Sequence, residues 1–320
     1  MTRETTKQNK KQQKTYYKKT DIIPIKDLNL TNRFLFNEVF GDKQIQQDLL
    51  CGLLEKDIEF LTEHETEKEL RVSPAIRAVR LDLFSMDSSD IVYNTEMQKE
   101  WKADLAKRSR YYQALVDTSL LEPGVPNYNM LNDTYIIMIM PFDLFGYGKY
   151  KYTVKAKVEE VPELIFNDRA TRIFFNIHGK NDMEVSKELI ELLHYLENTT
   201  DEFAEHAKSE RVKRIHERVR KVKMSEEVGV KYMQAWEERY YDRLEAREAG
   251  FAEGRAEGEL RAVLRMICKK LRKGLSVQEI VEDLEEDEDV IAAICKVAES
   301  CAPEYEEQKV WEEYNKVKND

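Results

Sequence analysis

Two carboxylates and an amide, Asp82, Glu96 and Gln98, are the side chains of this 320-residue chain whose types and spacing can do chemistry together. They lie between Arg80 and Lys99, where two strand-like runs flank a polar turn at Asp87, Ser88, Ser89 and Asp90. Side chains alternate faces along a strand, so Val92, Asn94, Glu96 and Gln98 share one face and Tyr93, Thr95 and Met97 the other. On the first run Leu81 and Leu83 point one way, and Arg80, Asp82 and Phe84 the other. A three-residue loop centred on Ser89 sets Asp82 directly opposite Glu96, about 5 Å away at Cβ. Carboxylates that close repel unless a cation lies between them, and hard oxygen donors of this kind suit Mg²⁺ or Mn²⁺. The hairpin pattern alone leaves a second reading open, a solvated face carrying two unrelated acids, because exposed acids on strands are ordinary.

The wider order of residues adds weight to the first reading. Phe36-Asn37-Glu38-Val39-Phe40-Gly41 comes first, then Arg80-Leu81-Asp82, then Asn94-Thr95-Glu96-Met97-Gln98. Lys107-Arg108, Arg110-Tyr111-Tyr112 and Asn127-Tyr128 follow. This ordered set, over roughly residues 28 to 180, resembles the PD-(D/E)XK nuclease superfamily. Within it the pattern is similar to the PD-(D/E)XK family transposases and the Rpn-type recombination-promoting nucleases. The resemblance implies an α/β restriction-endonuclease-like core, a mixed central sheet flanked by helices, followed here by a long helical C-terminal region. It implies a metal-dependent DNA endonuclease linked to recombination or mobile elements. Asp82 and Glu96 would ligate Mg²⁺, with Mn²⁺ as a substitute and the Met97 main-chain carbonyl as a further ligand.

Gln98 stands where the superfamily's usual Lys would be. An ammonium can stabilise an anionic transition state, whereas an amide can only orient water or phosphate. The alternative is therefore a catalytically weak or inactive nuclease fold that binds DNA or protein. A third class, a helical assembly protein whose β-rich half is scaffold, is also open. Glu38, Arg108 and Tyr112 are accessory candidates. Arg108 and Tyr112 would contact backbone phosphate or orient the carboxylates. Their bland counterparts are an ion-paired structural Arg, a core Tyr and, for Glu38, a surface or capping role. The family's common Lys in the first motif is Asn37 here.

Composition bounds what the rest of the chain can be. A net charge of −11 argues against nucleic-acid binding by the whole surface but leaves room for a local basic groove. Mean hydropathy is −0.65, so much of the chain must be solvated helix surface. Four cysteines show no zinc spacing, which predicts reduced thiols in a cytoplasmic protein. No signal peptide is visible. The longest apolar run, Tyr135 to Met140, is too short to cross a bilayer and predicts a buried central strand.

Periodicity and turn residues divide the chain into four parts. Residues 1–27 form a basic, disordered arm, and 28–182 the nuclease-like domain. Residues 183–259 are a helical extension with a connector carrying Gly250, Gly254 and Gly258, either a long helix or a flexible link, and 260–320 a small helical unit. Helix is expected over Leu28 to Glu55 with a break near Gly41, over Lys102 to Leu121, and over Ser186 to Glu197. The first strand is placed at Glu69 to Val72, and further strands at Tyr150 to Val158 and Thr171 to His178. Phe203 to Lys223 reads as a locally basic helix, either a solvated face or a DNA contact. Ser276 and Glu279 form a capping box that opens a C-terminal helical unit. That unit suits protein contact or homo-oligomerisation, because the acids Asp287, Glu288 and Asp289 at its next helix would repel phosphate.

Overall fold

A computed structural model describes residues 22–71, 77–121, 124, 127–284 and 286–319. The basic arm up to residue 21, Val72 and the turn at 122–123 and 125–126 lie outside the described residues. Ile22 and Ile25 already pack against the main core, so the predicted arm ends earlier than residue 27. The described chain divides into two compact units, one up to Gln234 and one from Ala235 onward.

The first unit opens with helix α1 (Arg33–Phe40), started by the Asn32 side chain, which accepts hydrogen bonds from the Phe34 and Leu35 amides. Asp42 caps α2 (Lys43–Leu54) in the same way, and Gly41 lies at the break between the two helices. The strands are β1 (Leu61–Leu70), β2 (Val79–Asp87), β3 (Val92–Met97), β4 (Thr134–Met140), β5 (Lys151–Val154) and β6 (Ala170–Asn176). Helix α3 (Leu105–Leu120) crosses between β3 and β4. Among the described residues the strands form one six-stranded mixed sheet in the order β1-β2-β3-β4-β6-β5. Strands β1, β2 and β3 are antiparallel, β3, β4 and β6 run parallel, and β5 returns antiparallel at the far edge.

The first strand starts at Leu61, eight residues before the expected Glu69. Its sequence, Leu-Thr-Glu-His-Glu-Thr-Glu-Lys-Glu-Leu, is polar nearly throughout because β1 is an edge strand and most of its side chains meet solvent. Apolar alternation is therefore absent. Strand β4 is the opposite case. Ile136 to Met140 are all buried, because helices cover both faces of the sheet at its centre.

Two cores sandwich the sheet. On one face Leu83, Tyr93, Met97, Ile137, Ile139 and Phe175 pack with α1, α2, α4 (Lys187–Glu197) and α6 (Glu210–Met224). On the other Phe84, Val92, Ile136 and Met138 pack against Leu105, Tyr112 and Leu115 of α3. Leu189, Leu192, Val212 and Ile215 belong to the first core, so α4 and α6 pack with the sheet domain. The expected helix over Phe203 to Lys223 is two helices, α5 (Asp201–His206) and α6, separated at Ala207 to Ser209.

Helix α7 (Glu226–Leu271) runs unbroken through the predicted glycine connector. Gly250, Gly254 and Gly258 each have open space where a Cβ would project, so they weaken the helix without packing a reason into it. In the second unit α8 (Val277–Leu284), α9 (Glu288–Ala298) and α10 (Glu307–Asn319) share a separate core with Leu264, Ile267 and Cys268. The Ser276 and Glu279 capping box is present, and Gly274 closes α7 at φ 80°.

The hairpin between β2 and β3 is locked from within. Asp87 is buried, and its carboxylate accepts from the Ser89 and Ile91 amides and the Tyr93 hydroxyl at 3.0, 3.0 and 2.8 Å. Asp90 adopts φ 59°, the left-handed residue that ends a three-residue loop. Replacing Asp87 by Ala orphans three donors, and we expect a loss of about 2–4 kcal/mol. Urea unfolding with an unchanged denaturant slope checks it; a loss under about 1 kcal/mol would show that the loop holds its register without this carboxylate.

Candidate active site

The ladder between β2 and β3 pairs Met86 with Val92, Ser85 with Tyr93, Phe84 with Asn94 and Leu83 with Thr95. That register is centred on Ser89, and continued by one residue it faces Asp82 with Glu96. Beyond Leu83 the backbone leaves regular pairing. The Asp82 amide donates to Glu96 Oε1 at 3.1 Å, and the Met97 amide donates to Asp82 Oδ2 at 3.1 Å. Each carboxylate thus holds the main chain of the other's strand.

This departure corrects one expectation. Leu81 and Leu83 do not share a face: Leu83 packs in the first core and Leu81 in the second, beside Phe84. Strict alternation breaks at Asp82, whose amide has turned to a side chain. The facing position on β1 is Glu67, in the left-handed region at φ 54°.

Both acids are buried, Asp82 at 4% and Glu96 at 5% exposure. Burial raises the Asp82 carboxyl above its usual range, although Arg33, the Met97 amide and Arg108 pull it down. Burial, and then the neighbouring Asp82 charge, push Glu96 up to about 8 against the Asp82 amide and the cations Arg108 and Arg33. Arg33, the first residue of α1, places Nε 2.6 Å from Asp82 Oδ1. The cations come from helices on opposite faces of the sheet, α1 and α3.

Gln98 follows the last residue of β3, and its main-chain amide still donates to Ile139. Its side-chain Nε2 donates to the Glu100 carbonyl at 2.6 Å, and its Oε1 accepts from Arg108 Nη1 at 3.1 Å. Arg108 Nε in turn donates to the Tyr112 hydroxyl at 2.6 Å. Gln98, Arg108 and Tyr112 are therefore one linked chain at the edge of the acid pair. Burial, and then Glu96, raise the Tyr112 hydroxyl, so the phenol stays neutral.

Glu38 is not brought to this place. Its charge acts on Lys231, and Arg218 reaches its main-chain carbonyl. Five residues along a helix from Arg33, it faces away from the side that Arg33 presents to Asp82.

Beside the acids lies a cleft of about 510 Å³ walled by Arg33, Arg77, Arg80, Lys107, Arg108, Tyr111 and Tyr112, with Asp104 the acid among its lining residues. Arg77, Arg80 and Lys107 form no ion pair among the described residues. Tyr111 braces the wall by donating to the Arg77 carbonyl. Sequence reasoning missed Arg33, Arg77 and Arg80. Arg80 stood two residues before Asp82, but Arg33 joins only through the packing of α1 on the sheet. The basic helix α6 is a different matter. Arg211, Lys213 and Arg214 pair with Glu188 and Asp57, Glu210, and Asp48, so much of its charge is spent internally. A larger groove of about 730 Å³, lined by Met183, Ile190, His194 and Phe203, holds none of the predicted residues.

Two buried carboxylates that repel each other fit a hard divalent cation, which would let both ionise. Among the described residues no third His, Cys, Asp or Glu joins them, so the side-chain donors number two. Water, main-chain carbonyl and substrate oxygens would complete the shell, as is usual for Mg²⁺.

A mixed sheet with helices on both faces, an acidic pair on a central hairpin and a helical C-terminal region define a PD-(D/E)XK nuclease fold. The model of the PD-(D/E)XK nuclease family transposases matches residues 30–249, and the chain belongs to that family. Comparison with curated proteins and with solved structures gave no match. Membership supports a nuclease-like function related to mobile elements. No described helix is long and apolar enough to cross a membrane.

The raised Glu96 carboxyl fixes the sign of a pH effect. Between the unfolded value of 4.5 and about 8, the folded chain retains a proton that the unfolded chain has lost. Stability therefore falls as pH rises through this window. With divalent ions chelated, the melting temperature should drop from pH 5 to pH 8, and Glu96→Gln should flatten that drop. A wild-type curve no steeper than the variant's would contradict the protonated Glu96.

Proposed function

We propose that this chain hydrolyses phosphodiester bonds in DNA, using a divalent metal held by Asp82, Glu96 and the Met97 main-chain carbonyl. The observation that carries this reading is the pair of buried acids, latched to each other's strands, at the side of a cleft walled by cations. Mg²⁺, or Mn²⁺ in its place, would supply a nucleophile at neutral pH and charge neutralisation on the phosphoryl oxygens. The protein's own part is positioning. Asp82 and Glu96 are held by main-chain amides, so their oxygens have little freedom to reorganise. Arg108 and Lys107 offer positive charge to backbone phosphate, and Arg108 also fixes the Gln98 carbonyl oxygen. Tyr112 holds the Arg108 guanidinium in place. The setting is recombination or mobile-element processing in the cytoplasm.

A second reading rests on Gln98. Its amide is committed to Arg108 and to the Glu100 carbonyl, and it carries no charge for an anionic transition state. That arrangement favours a nuclease fold that binds nucleic acid or protein with little cutting.

A nicking assay on supercoiled DNA separates the two. Cleavage that requires Mg²⁺ or Mn²⁺, and that falls about 100-fold or more in Asp82→Ala and Glu96→Ala, supports the endonuclease. Retarded migration of DNA at low salt without nicking supports the binding fold. Equal cleavage by wild type and both variants would place the activity elsewhere.

A further inference from the structure

We propose that Arg33 is an exchangeable counter-ion: it competes with a divalent cation for the Asp82 carboxylate, and when displaced it turns to a substrate phosphate in the adjoining cleft. This inference rests on the metal reading above. The Arg33 guanidinium bonds Asp82 Oδ1 at 2.6 Å, while the Met97 amide takes Oδ2, so both oxygens of that carboxylate have a partner. A metal ion drawn to Asp82 meets a resident positive charge at hydrogen-bond distance, and like charges there oppose each other.

The two ends of this contact differ in freedom. The Asp82 side chain is 5% exposed and held by its strand, whereas that of Arg33 is 44% exposed. The Arg33 backbone is fixed, because Asn32 caps α1 immediately before it, but the guanidinium is at the end of a long side chain. Its second anionic neighbour, Glu67, is 3.9 Å away and itself half exposed, a weak hold. The same Arg33 lines the cleft with Arg77, Arg80 and Lys107. Released from Asp82, it has a neighbouring space where an anion would be attracted by those cations, and a planar guanidinium matches phosphate oxygens in pairs. One residue thus links loading of the acids to capture of the substrate. Its first effect is on metal affinity in the absence of DNA.

The test is Mn²⁺ binding to the full chain, followed by electron paramagnetic resonance of the free ion, for wild type, Arg33→Ala and Arg33→Gln. Gln keeps a donor for Asp82 while removing the charge, so it remains informative if Ala impairs folding. If the arginine holds the carboxylate nine-tenths of the time, its removal tightens Mn²⁺ binding about tenfold. Adding Asp82→Asn to either variant should abolish the gain. In DNA binding with Ca²⁺, the same variants should bind more weakly, with a salt slope shallower by about one unit. Wild type that binds Mn²⁺ as tightly as folded variants overturns the role of Arg33 alone. No Mn²⁺ binding by any of the three proteins overturns the metal reading and this proposal with it.

Discussion

Two like charges held out of water side by side impose the main constraint on this structure. A buried carboxylate is costly to ionise, and a second one beside it raises the cost further. The chain meets this in three ways. Asp82 and Glu96 each accept a main-chain amide from the facing strand. Arg33 and Arg108 bring positive charge from helices on opposite faces of the sheet. The Glu96 carboxyl holds a proton well above the usual carboxylate range. Burial, amide latches and a retained proton distinguish this pair from a solvated pair of acids.

The rest of the domain keeps that pair in register. A slip of one residue would turn Asp82 away from Glu96 and move Tyr93 out of the core. The Asp87 carboxylate prevents the slip at the loop, and the parallel pairing of β3 with β4 fixes the other side of the strand. Burial of β4 under helices from both layers makes that side rigid. The acids sit where the β2–β3 ladder ends, within reach of cations from α1 and α3. Cations from the two layers therefore converge at one point although the chain as a whole is acidic.

That local reversal of charge gives a protein of net charge −11 a cleft walled by cations. Net charge describes the far field, whereas the cleft is governed by groups within a Debye length of about 8–10 Å. The acids are spread along the whole chain, with Asp104 the acid among the lining residues of the cleft. The basic residues of α6 do not compete with the cleft, because Asp48, Glu188 and Glu210 neutralise several of them. The glycines of α7 have no packing partner, and the helix continues through them on the strength of its other residues.

Local sequence determined whatever depends on neighbours within a few residues. The loop centred on Ser89, the Asp82 and Glu96 facing, the Ser276 cap, the break at Gly41 and the buried Ile136 to Met140 strand all follow from turn chemistry and periodicity. Family order extended this to the sheet domain as a whole. Only tertiary structure decided what distant segments do to each other. Arg33 lies far from Asp82 in sequence and reaches it because α1 packs on the sheet. Gln98 and Arg108 are joined by the placement of α3, and Glu38 is turned away by the same helix that delivers Arg33. Only the end of β1 was legible because an edge strand needs no apolar alternation, and the twist of Leu81 away from Leu83 arises where a backbone amide bonds a buried carboxylate in place of its ladder partner. Periodicity encodes which face is apolar, but it carries no record of which charges will share a cavity.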